Sequence, residues 1–197
     1  MEKTVYFRAF EPEDAVLIHQ WKNDDKLNER TIGLNKKTTM EDDLKWVNSV
    51  KDHHPYYAYW AICAKENDKM IGYASLVNIH YINSSAETGA VMIADPDYND
   101  GRAWIEAVLH LLEYGFEALN LHRVYGRSII GNHQSNLMEK LLFMHQDGVM
   151  REAVYKNGKY YDVSYAAILE DEYFAHKAAG DYEIKSMIKR IRTLRHG

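Results

Sequence analysis

The sequence predicts one α/β domain on a mixed sheet that can splay where two parallel strands meet, and three observations predict it. Strand-like runs over residues 57–64, 70–80 and 85–94 follow one another across short turns, as in an antiparallel meander. A strand, a long buried helix and a second strand then fill residues 85–130, a crossover that usually pairs its strands in parallel. Last, Lys156-Asn157-Gly158-Lys159 joins two more strand-like runs, and Asn-Gly accepts the positive φ angles of a two-residue hairpin. No Pro/Gly/Ser-rich linker interrupts the apolar periodicity.

Each element has its own signal. Residues 5–10 read as a strand ended by Glu11-Pro12. Pro12 suits the first turn of a helix, Glu13 and Asp14 suit its positive end, and Leu17, Ile18 and Trp21 form its apolar face. After a polar stretch over 23–37, Thr38-x-x-Glu41 has the pattern of a capping box. Met40, Leu44, Val47 and Lys51 fall on one side of the helix it opens. In the helix over 101–119 the polar residues Arg102, Glu106, His110, Glu113 and Glu117 are spaced 4, 4, 3 and 4 apart. That is one narrow stripe, expected to face solvent while the rest is covered. A strand over 123–129 and a helix over 133–143, with Leu137, Met138, Leu141 and Leu142 on one side, precede the hairpin.

Composition narrows the function. The chain has 197 residues, 46% hydrophobic and 27% charged, which is ordinary globular composition. A net charge of −5 argues against a dedicated nucleic-acid binder and leaves room for a cationic substrate. Cys63 is the single cysteine, so no intrachain disulfide forms. With no signal-peptide pattern and no apolar run near the ~20 residues of a membrane span, a cytoplasmic protein with no membrane partner is expected. Ten histidines occur, but His-Glu-x-x-His does not, and His53-His54 are too close to share a helical face, so no metal is expected.

The stretch with most chemistry runs from Ala90 to Ala103: a strand, a tight turn containing Asn99, Asp100 and Gly101, then the start of the buried helix. The unpaired N–H groups of a helix start bind phosphate. Gly101 lets backbone approach a ligand closely, Ala103 is small, and Arg102 adds a cation. An ordinary turn with Asn99 or Asp100 as N-cap is the competing reading.

Tyr98-Asn-Asp-Gly101-Arg-Ala103 resembles the Q/R-x-x-G-x-G/A loop of the GNAT N-acetyltransferase superfamily. Phe7-Arg8 with Glu13-Asp14, Trp21-Lys22-Asn23, Ile71-Gly72, Ser85-Ala86-Glu87 and Leu121-His122-Arg123-Val124-Tyr125 continue in register with it. So do Asn132-x-x-Ser135, Glu139-Lys140-x-x-Phe143 and Gly158-x-Tyr160-x-Asp162. These are similar to the branch of ribosomal-protein N-terminal and spermidine acetyltransferases, over roughly residues 4–170. The resemblance implies a GNAT-like mixed, mostly antiparallel sheet with a central parallel splay, flanked by helices on both faces. It implies a domain over 1–170 and a C-terminal helical extension over 171–197.

The resemblance also implies acetyl-CoA as donor and an amine as acceptor, attacked directly in a ternary complex. The pantetheine would run along Met92, Ile93 and Ala94, with backbone N–H groups near Met92 and Ile93 polarising the thioester carbonyl. The pyrophosphate would sit on the loop from Tyr98 through Asn99, Asp100, Gly101 and Arg102 to Ala103, and Asn132 and Ser135 would contact the cofactor arm. Three positions depart from the pattern. Tyr98 stands where Gln or Arg is usual, and Asp100 would repel phosphate unless it caps the helix. Met138 stands where many relatives place the tyrosine that protonates the departing thiolate, and methionine has no proton to donate. Tyr125, Tyr155, Tyr160 or water could substitute.

An alkylammonium of pKa about 10.4 must lose a proton before attack, and Glu87, at the start of the strand leading to the cofactor, is the expected catalytic base. An exposed strand-end carboxylate is the alternative. Asp24, Asp25 and Glu29 could attract a cationic acceptor, a polyamine or amino sugar first and a protein N-terminus second. Across the hairpin, Arg151 lies diagonal to Asp162, the spacing of a cross-strand ion pair. Ile184, Ile188, Ile191 and Arg195 mark one side of a last helix whose remainder is basic, expected to pack on the domain or on a second copy as a homodimer. A non-catalytic acyl-CoA-binding module, or a scaffold acting through the basic tail, are the alternatives from other classes.

Overall fold

A computed structural model describes residues 2–29, 32, 37–52 and 54–196; His53 and most of the polar stretch after Glu29 lie outside the described residues. Among the described residues the strands form one seven-stranded sheet in the order β1-β2-β3-β4-β5-β7-β6. They are β1 (Val5–Arg8), β2 (Ala58–Ala64), β3 (Met70–His80), β4 (Ser85–Ile93), β5 (Arg123–Ile129), β6 (His145–Lys156) and β7 (Lys159–Leu169). All neighbours are antiparallel except β4 and β5. Those two pair in parallel only over Ser85–Arg123, Ala86–Val124 and Glu87–Tyr125, and beyond that rung they separate. The splay expected from the crossover is therefore present at the centre of the sheet.

Helices cover both faces. Against one face pack α4 (Arg102–Glu113), continued by a π-helical turn at Tyr114–Ala118, with α5 (His133–Leu141), α6 (Glu170–Ala178) and α7 (Ile184–His196). Their buried residues include Ile105, Leu111, Leu112, Phe116, Leu141, Leu142, Tyr173 and Met187. Against the other face pack α1 (Ala15–Lys22) and α3 (Met40–Val50), through Ile18, Trp21, Val47 and Val50; the short α2 (Asp25–Asn28) lies between them in sequence. The hairpin forms as expected, with Asn157 at φ 50° and Gly158 at φ 79° between paired Lys156 and Lys159.

Four local expectations change. The capping box of α3 lies one residue later, with Thr39 as N-cap and Asp42 as its return partner. The buried side of α3 carries Asp43, Val47 and Val50, while Met40 and Leu44 are exposed. Arg151 and Asp162 form no ion pair among the described residues: Asp162 accepts from Glu152 N–H at 2.8 Å, inside a bulge where Glu152 has φ 52°. The polar stripe of α4 is not a solvent face. Glu106 is fully buried and accepts from the N–H groups of Thr4 and Val5, so it ties the start of β1 to the helix. His110, one turn on, stacks on Phe7 at 3.9 Å between centroids.

Candidate active site

The site grows from the point where β4 and β5 part. Thr88 Oγ1 donates to the Tyr125 carbonyl at 3.2 Å, closing the last rung. Gly126 follows because a Cβ there would stand 2.9 Å from Thr88 Oγ1, which would wedge the apex. On the other edge of β4, Ala94 N–H donates to Ile71 O at 2.8 Å and Ala90 N–H to Ser75 Oγ at 2.9 Å. Alternation along an antiparallel strand then turns Met92 toward β3 and leaves the peptide groups of Val91 and Ile93 facing the splay. Of the two residues expected to polarise a carbonyl, Ile93 is on the open edge and Met92 is not; Val91 takes its place.

A cleft of about 520 Å³ opens there. It brings together Glu87, Met92, Ile93, Asn132, Ser135 and Met138 from the expected set. Asn132 caps α5, with its Oδ1 3.4 Å from Ser135 N–H. Glu87 is buried rather than an exposed strand end. Its Oε1 accepts from Arg127 Nε at 2.7 Å and its Oε2 from Asn78 Nδ2 at 2.8 Å. Asn78 reaches it from a bulge in β3 where its own φ is 51°. Glu87 is thus held at the apex of the splay with its orientation fixed by two donors.

The helix start behaves differently. Gly101 is the N-cap of α4 at φ 89°, a conformation that favours glycine, so the backbone turn is built as expected. Asp100 Oδ1 accepts from Arg102 N–H at 2.8 Å and so caps the helix. The Arg102 guanidinium is committed to Glu106 and to the Glu2 carbonyl, and Tyr98 Oη donates to Glu66 at 2.6 Å. Tyr98, Asp100, Arg102 and Ala103 line a second depression with Lys3, Lys65 and Glu66, outside the splay cleft. Ala94, Asn99 and Gly101 line neither. The side chains of Tyr98 and Arg102 are thus held by Glu66, Glu106 and the Glu2 carbonyl, while the backbone turn at Gly101 is built as expected.

Sequence reasoning missed the opposite wall. Trp46 of α3, Tyr59 of β2 and Tyr73 of β3 line the cleft from three elements far apart in the chain. Trp46 and Tyr59 meet edge to face with centroids 5.4 Å apart, and Trp21 stacks behind Tyr73 at 6.4 Å. Burial, with smaller contributions from Tyr59 and Asp43, pushes the Tyr73 phenol up to about 12, and burial raises Tyr59 as well. Both stay protonated at neutral pH. Of the tyrosines expected as substitutes for Met138, Tyr155 and Tyr160 are exposed on the hairpin. Asp24 caps α2 and Asp25 pairs with Lys37 at 2.6 Å, so neither lines the cleft.

A mixed sheet with a central parallel splay, a glycine-capped helix below it and a carboxylate at its apex defines an acyl-CoA-dependent transferase. The sequence matches the family described as the acetyltransferase (GNAT) domain over residues 4–144, so the chain belongs to that family and is an acetyl-CoA-dependent N-acetyltransferase of amines. The spermidine N(1)-acetyltransferase of Vibrio cholerae is 26% identical over 88% of this chain and 97% of its own. The uncharacterized N-acetyltransferase YnaD of Bacillus subtilis is 26% identical over 87% of this chain and 96% of its own. A crystal structure of spermidine N-acetyltransferase from Vibrio cholerae in complex with CoA and spermine shares the fold, with a TM-score of 0.76 at 24% identity, covering 87% of this chain and 98% of that one. No helix among the described residues is long and apolar enough to cross a membrane, and no group of potential metal ligands occurs among them.

Proposed function

We propose that acetyl-CoA lies in the β4–β5 splay and that a primary amine of a small molecule attacks from the side of Glu87. The observation that carries this is the early end of β4–β5 pairing at Glu87–Tyr125, which leaves the Val91 and Ile93 edge open toward the cleft. Those residues fit a pantetheine amide arm, and the amides at the start of α4 fit a pyrophosphate. When bound, the cofactor supplies an acetyl thioester.

This chain's own groups supply the rest. The Ile93 and Val91 N–H groups face the place where carbonyl charge develops. Glu87, held by Arg127 and Asn78, takes the ammonium proton directly or through a water and passes it to solvent. Met138 lines the cofactor side and gives no proton. Tyr73 lines the opposite wall with its phenol kept protonated by burial. A thiol of pKa about 8.5 is a tolerable leaving group as its anion, so the thiolate departs and takes its proton from water.

Acetylation of a small amine ranks ahead of a protein N-terminus, since a cleft of about 520 Å³ is of the size that takes a small molecule. We place the enzyme in the cytoplasm, with residues 1–170 as the transferase domain and 171–197 as its helical extension. A homodimer fits the unpaired edge of β6, where Val149 and Met150 are exposed. Thiol release from acetyl-CoA over an amine panel tests the activity: amine-dependent release is expected, and its absence with every amine would refute the reading.

A further inference from the structure

Resting on that reading of the cleft, we infer that the acceptor is a singly charged amine on an apolar, ring-sized body, rather than a polycation. Two independent sets of observations lead there, the charges around the cleft and the shape of its far wall.

A polyamine carries several ammonium groups spaced along a flexible chain, and a site for it needs several uncommitted carboxylates. This cleft has none to spare among the described residues. Glu87 is the one carboxylate in its lining, and Arg127, also in the lining, is bonded to it at 2.7 Å. Behind the aromatic wall, Asp43 is fully buried against Lys22 at 3.0 Å, His19 at 2.8 Å and the Thr38 hydroxyl. Near the mouth, Asp24 caps α2, Asp25 is paired with Lys37, and Glu29 acts on Lys156, whose ammonium donates to the Asn28 carbonyl at 2.7 Å. A second or third ammonium group would meet no further carboxylate in the described lining of the cleft.

The wall explains what is bound instead. Trp46, Tyr59 and Tyr73 face the cleft together with Leu27 and Val77. The rings are fixed from behind by Phe10, 5.7 Å from Trp46 and 6.2 Å from Tyr73, and by Trp21. A rigid aromatic wall buries a flat apolar body at little entropic cost and favours one ammonium group near its faces. Lys22 Nζ already stands 3.7 Å from the Trp46 centroid, so one cation is built into this wall. With Glu87 at the apex, the arrangement accommodates one amine group and an apolar remainder.

The test is calorimetric binding to the full chain with saturating CoA, so that no acetyl transfer intervenes, using 2-phenylethylamine and spermidine as probes. The inference predicts that 2-phenylethylamine binds at least fivefold tighter than spermidine. It also predicts that Trp46→Leu weakens 2-phenylethylamine roughly tenfold while CoA affinity is unchanged. Tyr59→Phe, which keeps the ring, should bind 2-phenylethylamine like the unsubstituted chain and guards against a folding defect in the first variant. Tighter binding of spermidine, or a Trp46→Leu variant that binds both CoA and 2-phenylethylamine normally, would overturn the inference. Because the readout is binding, an amine that binds without turnover counts against the proposed chemistry and not against the acceptor class.

Discussion

Arg127 Nε lies 2.7 Å from Glu87 Oε1 at the last paired rung of the splay, so the one carboxylate lining the cleft among the described residues is an ion-paired one. The pair fixes the direction in which the Glu87 carboxylate meets an acceptor. Glu87→Gln keeps the shape and removes the proton acceptor. We expect kcat to fall about 100-fold with the KM for acetyl-CoA nearly unchanged, measured by steady-state thiol release. A KM effect alone would move Glu87 from chemistry to cofactor binding.

His110 is held neutral inside the α4–β1 contact. Its Nε2 has no partner among the described residues, and burial, with a smaller contribution from Lys3, lowers it to about 4 from 6.5. The folded state therefore binds fewer protons than the unfolded one between those values. Its stabilising effect is complete above about pH 6.5 and is lost as pH falls toward about 4, by about 3 kcal/mol. Urea unfolding of the protein and of His110→Phe across pH 4–7 should show a steeper acid loss for the unsubstituted chain. Parallel curves would contradict it.

The C-terminal segment bears on the cofactor side of the cleft. Arg190 donates to the Lys140 carbonyl at 2.9 Å, at the end of α5, and its guanidinium stands 3.7 Å from the Phe143 centroid. Tyr182 Oη donates to the Leu142 carbonyl at 3.1 Å. The other end of α5 carries Asn132 and Ser135. Arg190→Met should cost about 1 kcal/mol of stability and weaken acetyl-CoA by a few-fold while kcat holds, read by thermal unfolding and titration.

Met138 touches the space beside Gly126, with its Cε 3.9 Å from where a Cβ would stand. Met138→Tyr would place a phenol on the cofactor side of the cleft. If thiolate departure limits turnover, kcat should rise by about tenfold in this variant. An unchanged kcat would mean that another step limits.

Much of this architecture was legible because its signals are local. Strand-like runs between turns marked β3 and β5, Asn157-Gly158 marked the hairpin, and the crossover implied a parallel pair. The turn at Gly101 was legible because a glycine conformation is local, and of the β4 residues expected along the cofactor Ile93 lies on the open edge, while Val91 was not foreseen. It was misread where side chains depend on distant partners. The spacing of Glu106 and His110 is the same whether a helix faces water or the backbone donors of a sheet edge, and only the docking of β1 decides which. Tyr98 is likewise held by Glu66, a partner far off in the chain, whereas the Arg102–Glu106 pair is a local i,i+4 contact. The wall of Trp46, Tyr59 and Tyr73 was hidden because three elements bring it together.

The central claim is that the splay and the glycine-capped helix start hold acetyl-CoA, and calorimetric titration of acetyl-CoA into the protein and into Gly101→Glu tests it most directly. Gly101 needs φ 89°, so a glutamate there both strains the turn and sets a negative charge beside the pyrophosphate. The account predicts one site per chain with micromolar affinity, reduced at least about 100-fold in the variant, while circular dichroism shows the fold retained. No binding to the unsubstituted protein near 1 mM acetyl-CoA, or equal affinity in the two proteins, would contradict it.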